Sequence, residues 1–333
     1  MSDRYLWDRS GPPDPEVERL ERLLERFRGA SPMPAWPAED TAVQRKRPSF
    51  TYVAAAAALI CCCALGLWPI LHAPRPSWAV ARVAGVPAVD TEPFVDTSRL
   101  VVGQWLETDR DSRATVRVGE IGVLQVEPHT RLRLLDTAAG NHRLALARGT
   151  VHALIWAPPG EFFVETPSST AIDLGCAYTL RVDPDGGCTI DVTSGWVGFE
   201  HRGRESFIPA GAQCRTRVGV GPGTPYFADA SEPFRQALAA VDFGDPRRRR
   251  LALDDVLAGA RSRDVVTLWH LLSRVDEPDR GRVFEALARF APPPPSVTRT
   301  GIVRGDRKMI DAWWDALGLG TTSWWRTWKR QWR

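Results

Sequence analysis

The sequence predicts a membrane-anchored, mixed protein: one transmembrane α-helix, an all-β domain built as a sandwich or a short β-solenoid, and an α-helical C-terminal region. Three observations predict it. Residues 50–71 read FTYVAAAAALICCCALGLWPIL, with no charged side chain. Between residues 79 and 220 apolar residues recur at every second position, the period of half-buried strands. From Glu232 onward they recur at every third or fourth, the period of helices. The expected boundaries are 1–48 for a tail, 49–72 for the span, 73–222 for the β-rich domain and 223–333 for the helical region.

Composition narrows the function before any motif is read. The chain has 333 residues, 44% hydrophobic and 25% charged, and 43 Lys+Arg against 40 Asp+Glu leave a net charge of +3. A dedicated nucleic-acid binder carries a much larger basic excess, so no direct contact with nucleic acid is expected. A disordered chain, a collagen-like chain and a multi-span transporter are excluded too.

In the tail, residues 14–28 (DPEVERLERLLERFR) start with Asp14 at a cap position and Pro15 at the first helical position, and stop at Gly29. Val17, Leu20, Leu24 and Phe27 form one apolar stripe, widened by Leu23, with charges filling the other face. So short a helix is marginal alone in water. It either rests solvated near the membrane or docks on a cytoplasmic protein. Residues 30–48 read as a Pro-containing linker.

The uncharged run, as a helix rising about 1.5 Å per residue, spans roughly 30 Å, the thickness of a lipid bilayer's hydrocarbon core. Arg45, Lys46 and Arg47 precede it, which orients the N-terminus to the cytoplasm and residues 73–333 to the outside; Trp68 suits the far interface. Cys61, Cys62 and Cys63 fall within the run as small apolar residues. Cys176, Cys188 and Cys214 remain outside, so at most one internal disulfide forms. If the hairpin turns at Asp185-Gly186, Cys188 lies opposite residue 182 or 183 and Cys176 lies near Ser194 or Gly195, too far for those two to bridge. Cys176 with Cys214 is the expected pair; three buried free thiols are the alternative.

The β-rich domain alternates plainly. Ala114, Val116 and Val118 share a face, as do Leu132 with Leu134 and Leu144 with Leu146. Ile172, Leu174, Cys176, Tyr178, Leu180 and Val182 form a longer run. Turn chemistry follows at residues 183–187 (DPDGG), and then Cys188, Ile190 and Val192 face the same way.

Ordered glycine-centred steps run through this region: Val102-Gly103-Gln104-Trp105-Leu106-Glu107-Thr108, then residues 144–153 (LALARGTVHA), Phe163-Val164-Glu165-Thr166-Pro167, residues 191–197 (DVTSGWV) and Pro209-Ala210-Gly211. In that order and spacing the chain resembles the FecR family over some 140 residues, departing from its pattern at Gly175-Cys176 and at residues 119–122. The resemblance implies a bacterial inner-membrane regulator with a β-rich periplasmic domain, a cytoplasmic N-terminus and a periplasmic C-terminus. It also implies a cytoplasmic sigma factor or another regulator as partner of the tail, hence an anti-sigma role in signal transduction. A periplasmic protein or an envelope polymer would be the outer partner.

No constellation carries catalysis. His72, His129, His142, His152, His201 and His270 are scattered without metal-ligand spacing. No Gly-x-Ser-x-Gly elbow occurs, and the glycines at 219, 221 and 223 lack the Lys-Ser/Thr of a phosphate loop. Asp183 and Asp185 read as turn residues. No catalytic residue, metal site or cofactor is expected, and the chain reads as a non-enzyme.

In the helical region the stripes are Phe234/Leu238/Val241, Leu253/Val256/Leu257, Val265/Val266/Trp269/Leu272 and Val283/Phe284/Leu287. Asp264 and Asp279 stand at helix starts, and Pro292 to Pro295 end the set. A further helix carries Met309, Ile310, Trp313 and Leu317. At the end, Trp324, Trp325, Trp328 and Trp332 fall on one side of a helix and Arg326, Lys329, Arg330 and Arg333 on the other. That arrangement suits either the headgroup layer of the bilayer or a cap on the preceding helices. Two functions follow: a single-span signal transducer, or an anchored, non-signalling envelope scaffold that binds a surface.

Overall fold

The apolar alternations become strands of two stacked β layers. The computed structural model describes residues 15–25 and 76–319. The former belong to a compact unit, Met1–His72, and the latter to a second, Ala73–Arg333. The first unit contributes one described element, helix α1 (Pro15–Glu25).

In the second unit the outward-counting strands are β1 (Ser77–Ala84), β2 (Ala88–Val89), β3 (Glu92–Pro93), β4 (Thr97–Val101), β5 (Trp105–Glu107) and β6 (Arg113–Val118). They are followed by β7 (Gly122–Val126), β8 (Arg131–Ala138), β9 (Asn141–Ile155), β10 (Phe162–Glu165), β11 (Thr170–Asp173) and β12 (Ala177–Val182). The last are β13 (Cys188–Ser194), β14 (Trp196–His201), β15 (Arg204–Pro209), β16 (Ala212–Arg217), β17 (Gly221–Pro222) and β18 (Tyr226–Phe227). One layer runs β4-β1-β6-β7-β9-β12-β13-β16-β18. The other runs β3-β2-β5-β8-β9-β10-β11-β14-β15, parallel only between β9 and β10. The chain passes between layers hairpin by hairpin, so sandwich and short solenoid merge: two stacked sheets wound as successive coils. Between them lies a dry core that includes Val116, Leu124, Val151, Leu180 and Ile190 from one layer and Leu106, Leu132, Leu144 and Phe199 from the other.

The 15-residue β9 belongs to both layers: its first half pairs with β8 and β10, its second with β7 and β12. The crossover is at Gly149, where φ is +93° and an added Cβ would stand 2.3 Å from Thr130 Oγ1 and 2.4 Å from Thr130 Cα. Thr130 cannot retreat, because its hydroxyl accepts from Thr150 N at 3.0 Å and its own N–H donates to Thr108 Oγ1 at 2.9 Å. Gly149→Ala is therefore expected to cost about 3 kcal/mol or more in strain and overpacking. Urea unfolding reads it, and a loss under about 1 kcal/mol would contradict the crossover geometry.

One expectation is corrected. The run from Ile172 to Val182 is two strands in different layers, β11 and β12, because the backbone turns at Gly175 with φ +84°. All its alternate residues are nonetheless buried. The hairpin register is as the turn predicts, with Val182 opposite Cys188 and Ala177 opposite Ser194.

The helical stripes assemble into α2 (Glu232–Phe243), α3 (Pro246–Gly259), α4 (Val265–Leu272), α5 (Glu277–Phe290), α6 (Arg299–Val303) and α7 (Arg307–Ala316). Local chemistry sets their starts. Ser231 accepts from Phe234 N, Asp245 from Arg247 N and Arg248 N, and Asp306 from Lys308 N and Met309 N. Asp264 stands at the start of α4 as expected, but its carboxylate is fully buried and takes the Arg261 backbone N–H and guanidinium rather than an N–H of the helix. The helices share one apolar cluster with Phe207, Tyr226 and Trp196 of the strands, so they pack onto the β layers. Trp314 meets Trp196 at 5.8 Å, Phe207 at 6.0 Å and Trp269 at 4.6 Å between ring centroids, edge-on to the first two.

Among the described residues no helix is long and apolar enough to cross a membrane. The run expected to do so, residues 50–71, lies outside them.

Candidate functional site

Of the expected partner-binding stripe, the structure shows the middle. Pro15 opens α1, Glu16 and Glu18 occupy its first turn and Arg22 its last, matching the sign of the helix dipole. Glu18 and Arg22 pair across one turn at 3.6 Å. Leu20, Leu23 and Leu24 fall at three- and four-residue steps on one side and are 58%, 44% and 62% exposed. Val17 lies within α1, whereas Phe27 lies outside the described residues, as do Trp324, Trp325, Trp328 and Trp332. A charged helix presenting three solvated leucines has an unfilled need for an apolar partner.

The second unit holds a polar cluster where helices meet strands. Asp242 of α2, with a side chain 3% exposed, accepts from Thr224 N at 2.6 Å, Thr224 Oγ1 at 2.9 Å, Arg204 at 3.1 Å and Arg274 at 3.2 Å. Arg274, 5% exposed, also donates to Thr224 Oγ1, the Pro222 and Glu205 carbonyls and Ser206 Oγ. Burial, with Arg274 beside it, lowers the pKa of Arg204. Next to this cluster His270 ties α4 to β15: its Nδ1 donates to the Val266 carbonyl at 2.7 Å and its Nε2 accepts from Phe207 N at 3.0 Å. Burial, then the Arg274 charge, holds its pKa down at about 3, so the ring is neutral and both nitrogens are occupied. A cleft of about 360 Å³ opens here, lined among others by Arg202, Arg204, Arg274, Arg307, His270 and Ser273. Its two innermost guanidinium groups are already committed to the fold. Neither Arg274 nor His270 carried a sequence signal: each becomes important only through residues more than 30 positions away.

The expected Cys176–Cys214 bridge is not formed, and Cys176, Cys188 and Cys214 are buried free thiols. Cys214 stands opposite Ile190, which stands opposite Leu180, four residues along the strand from Cys176. Two strand spacings and four residues amount to more than about 10 Å, beyond the roughly 7 Å that a disulfide tolerates between Cα atoms. Cys176 instead donates to Asp173 Oδ2 at 2.7 Å and Cys214 to the Gly223 carbonyl at 3.2 Å. Burial pushes the Cys214 thiol up to about 12 and the Cys176 thiol higher still, the latter assisted by the Asp173 charge.

Asp183 and Asp185 do turn work. Asp185 accepts from Gly187 N at 2.9 Å, and Asp183 pairs with Arg181 at 3.1 Å. Among the described residues no group of three or more His, Cys, Asp or Glu is placed to hold a metal ion.

No family model and no curated protein matches the sequence. Among solved structures, two crystal structures of a protein described as "a putative anti-sigma factor" from Parabacteroides distasonis are similar to part of it, at 15% and 14% identity and TM-scores of 0.33 and 0.34. Each similarity covers 40% of this chain and 63% or 62% of the other, so the chain spans less than two thirds of those neighbours.

Proposed function

We propose that the chain is a single-span, FecR-like signal transducer of the bacterial inner membrane, not an enzyme. Residues 1–48 lie in the cytoplasm, 49–72 cross the bilayer, and the β layers with their helices lie in the periplasm, where they meet an envelope partner. Helix α1 holds a cytoplasmic regulator of the sigma-factor class. One observation supports this reading above the others: the solvated leucine face of Leu20, Leu23 and Leu24 on a helix too short to be stable alone. Such a face suits the helix-in-groove mode, in which residues at three- and four-residue steps anchor in an apolar groove.

The test is affinity capture of cytoplasmic protein on the full chain in detergent, beside the variant Leu20→Asp/Leu24→Asp. A specific partner is expected on the parent, with recovery reduced by about 30-fold or more in the variant, since two central anchors are lost. Equal recovery on both would remove α1 from the mechanism. Recovery of no specific protein on either would leave an anchored scaffold.

A further inference from the structure

We propose that the outward face of the layer containing β9 and β12 binds an acidic polysaccharide strand. The helices pack on the strands through Phe207, Tyr226 and Trp196, whereas the outward side chains of this layer stay exposed or half-buried. Its register sets polar side chains with a single acid in one row across six strands: Thr115, Gln125, His152, Thr179, Asp191 and Gln213. Two contacts pre-arrange them. His152 Nδ1 and the Thr179 hydroxyl lie 2.8 Å apart, and Gln213 Nε2 donates to Asp191 Oδ2 at 2.6 Å. The row repeats at the strand spacing of about 4.8 Å, close to the length of one sugar ring in an extended glycan.

An aromatic platform stands about 13 Å from the row, four residues past His152 at the end of the same strand. Alternation along β9 puts Leu154 outward, 56% exposed, and two residues on Trp156, 60% exposed. The indole is held in place by its Nε1 donating to the Glu120 carbonyl at 2.9 Å, so an exposed apolar ring face is fixed rather than folded away. A pinned, solvated indole at the end of this face suits the C–H face of a pyranose in a glycan that crosses the strands obliquely. A protein partner would want a larger buried apolar centre than these two residues supply.

Charge selects an acidic glycan. Arg117 stands opposite Val123, itself opposite Leu154, and has no partner among the described residues. Arg99 lies further along the same line, beyond Ala79. Glu127 is paired with Arg113 at 2.9 Å, and Asp191 is the one acid among the outward strand residues of this layer, which also carry Arg99, Arg113, Arg117, Arg181 and Arg215. The surplus is cationic, which suits carboxylates repeated along a polymer and opposes a second copy of the same face. As a signal for the regulator this ligand rests on the function proposed above; as a binding event it stands on the surface alone.

The probe is alginate, a soluble polyuronate, with neutral dextran as its counterpart, titrated calorimetrically into the full chain in a detergent without sugar groups. Alginate is expected to bind and dextran to bind at least about tenfold more weakly, with Trp156→Ala weakening alginate by about tenfold and Arg117→Ala weakening it severalfold while flattening its salt dependence. Leu154→Thr serves as a second surface variant if Trp156→Ala fails to fold. Absence of alginate binding, equal binding of dextran, or parent-like binding by both Arg117→Ala and the platform variant would each overturn the proposal. Partner capture on α1, read in the same samples, separates the two ideas: lost glycan binding with intact capture refutes only this one.

Discussion

Asp242→Ala is expected to lower stability by about 3–5 kcal/mol, the range for removing one member of a buried ion pair. The carboxylate is the acceptor on which Arg204, Arg274 and both donors of Thr224 converge. Without it two guanidinium groups are left side by side in a desolvated site, and α2 loses its polar tie to the strands. The double variant Asp242→Ala/Arg274→Met also removes the more deeply buried of the two stranded charges. It is expected to recover at least about 1–2 kcal/mol of the loss, because most of the penalty belongs to the unpaired cation rather than to a missing attraction. Urea unfolding followed by Trp fluorescence reads both. A double variant as unstable as the sum of its parts would show that the charges are not coupled, and the cluster would then be no more than two neighbouring hydrogen bonds.

How much of this was legible in advance depends on how far apart the interacting residues are. Alternation at Ala114/Val116/Val118, Leu132/Leu134 and Cys188/Ile190/Val192 states which residues face inward, and all of these are buried. The helix stripes are similarly local and were legible in advance; the caps Ser231, Asp245 and Asp306 were missed, although each bonds within three residues. The turn at Asp185-Gly186, equally local, fixed its own hairpin register. Failures begin where one periodic pattern spans two elements. From Ile172 to Val182 alternation continues unbroken while the chain changes layer at Gly175, and the inward-facing pattern is blind to which layer it serves. The Cys176–Cys214 expectation failed on that blindness, since sharing an inward face says nothing about position along it. The Asp242–Arg274 tie, the His270 bridge and the row from Thr115 to Gln213 arise from register between strands and helices distant in sequence, and no local signal encodes them. On α1 the reverse holds. Its leucine face was legible whole, because a helix face depends on spacing alone, and the structure adds that Leu20, Leu23 and Leu24 are solvated.

Two buried titratable groups give the second unit an unusual pH dependence. Asp173 is 1% exposed, and burial raises its carboxyl to about 7, even though it accepts from Gly175 N and the Cys176 thiol at 2.7 Å each. A folded pKa above the unfolded one, near 3.8, means stability present below pH 4 and lost as pH rises toward 7, by about 4 kcal/mol in all. His270 has the opposite sign. Its folded pKa near 3 lies below the unfolded 6.5, so its contribution is complete above pH 6.5 and lost as pH falls toward 3. Between pH 4 and 6.5 the native state keeps a proton on Asp173 that the unfolded chain releases, and refuses one on His270 that the unfolded chain takes. The two slopes, each about 1.4 kcal/mol per pH unit, cancel. Substitution should uncover them singly. Asp173→Asn is expected to make stability rise with pH across that window relative to the parent, and His270→Gln to make it fall, whatever either does to absolute stability. Denaturant midpoints at pH 4.5, 5.5 and 6.5 are enough to read the slopes. Variants whose profiles run parallel to the parent would mean that neither group changes its proton on unfolding, and the burial assigned to Asp173 and His270 would be wrong.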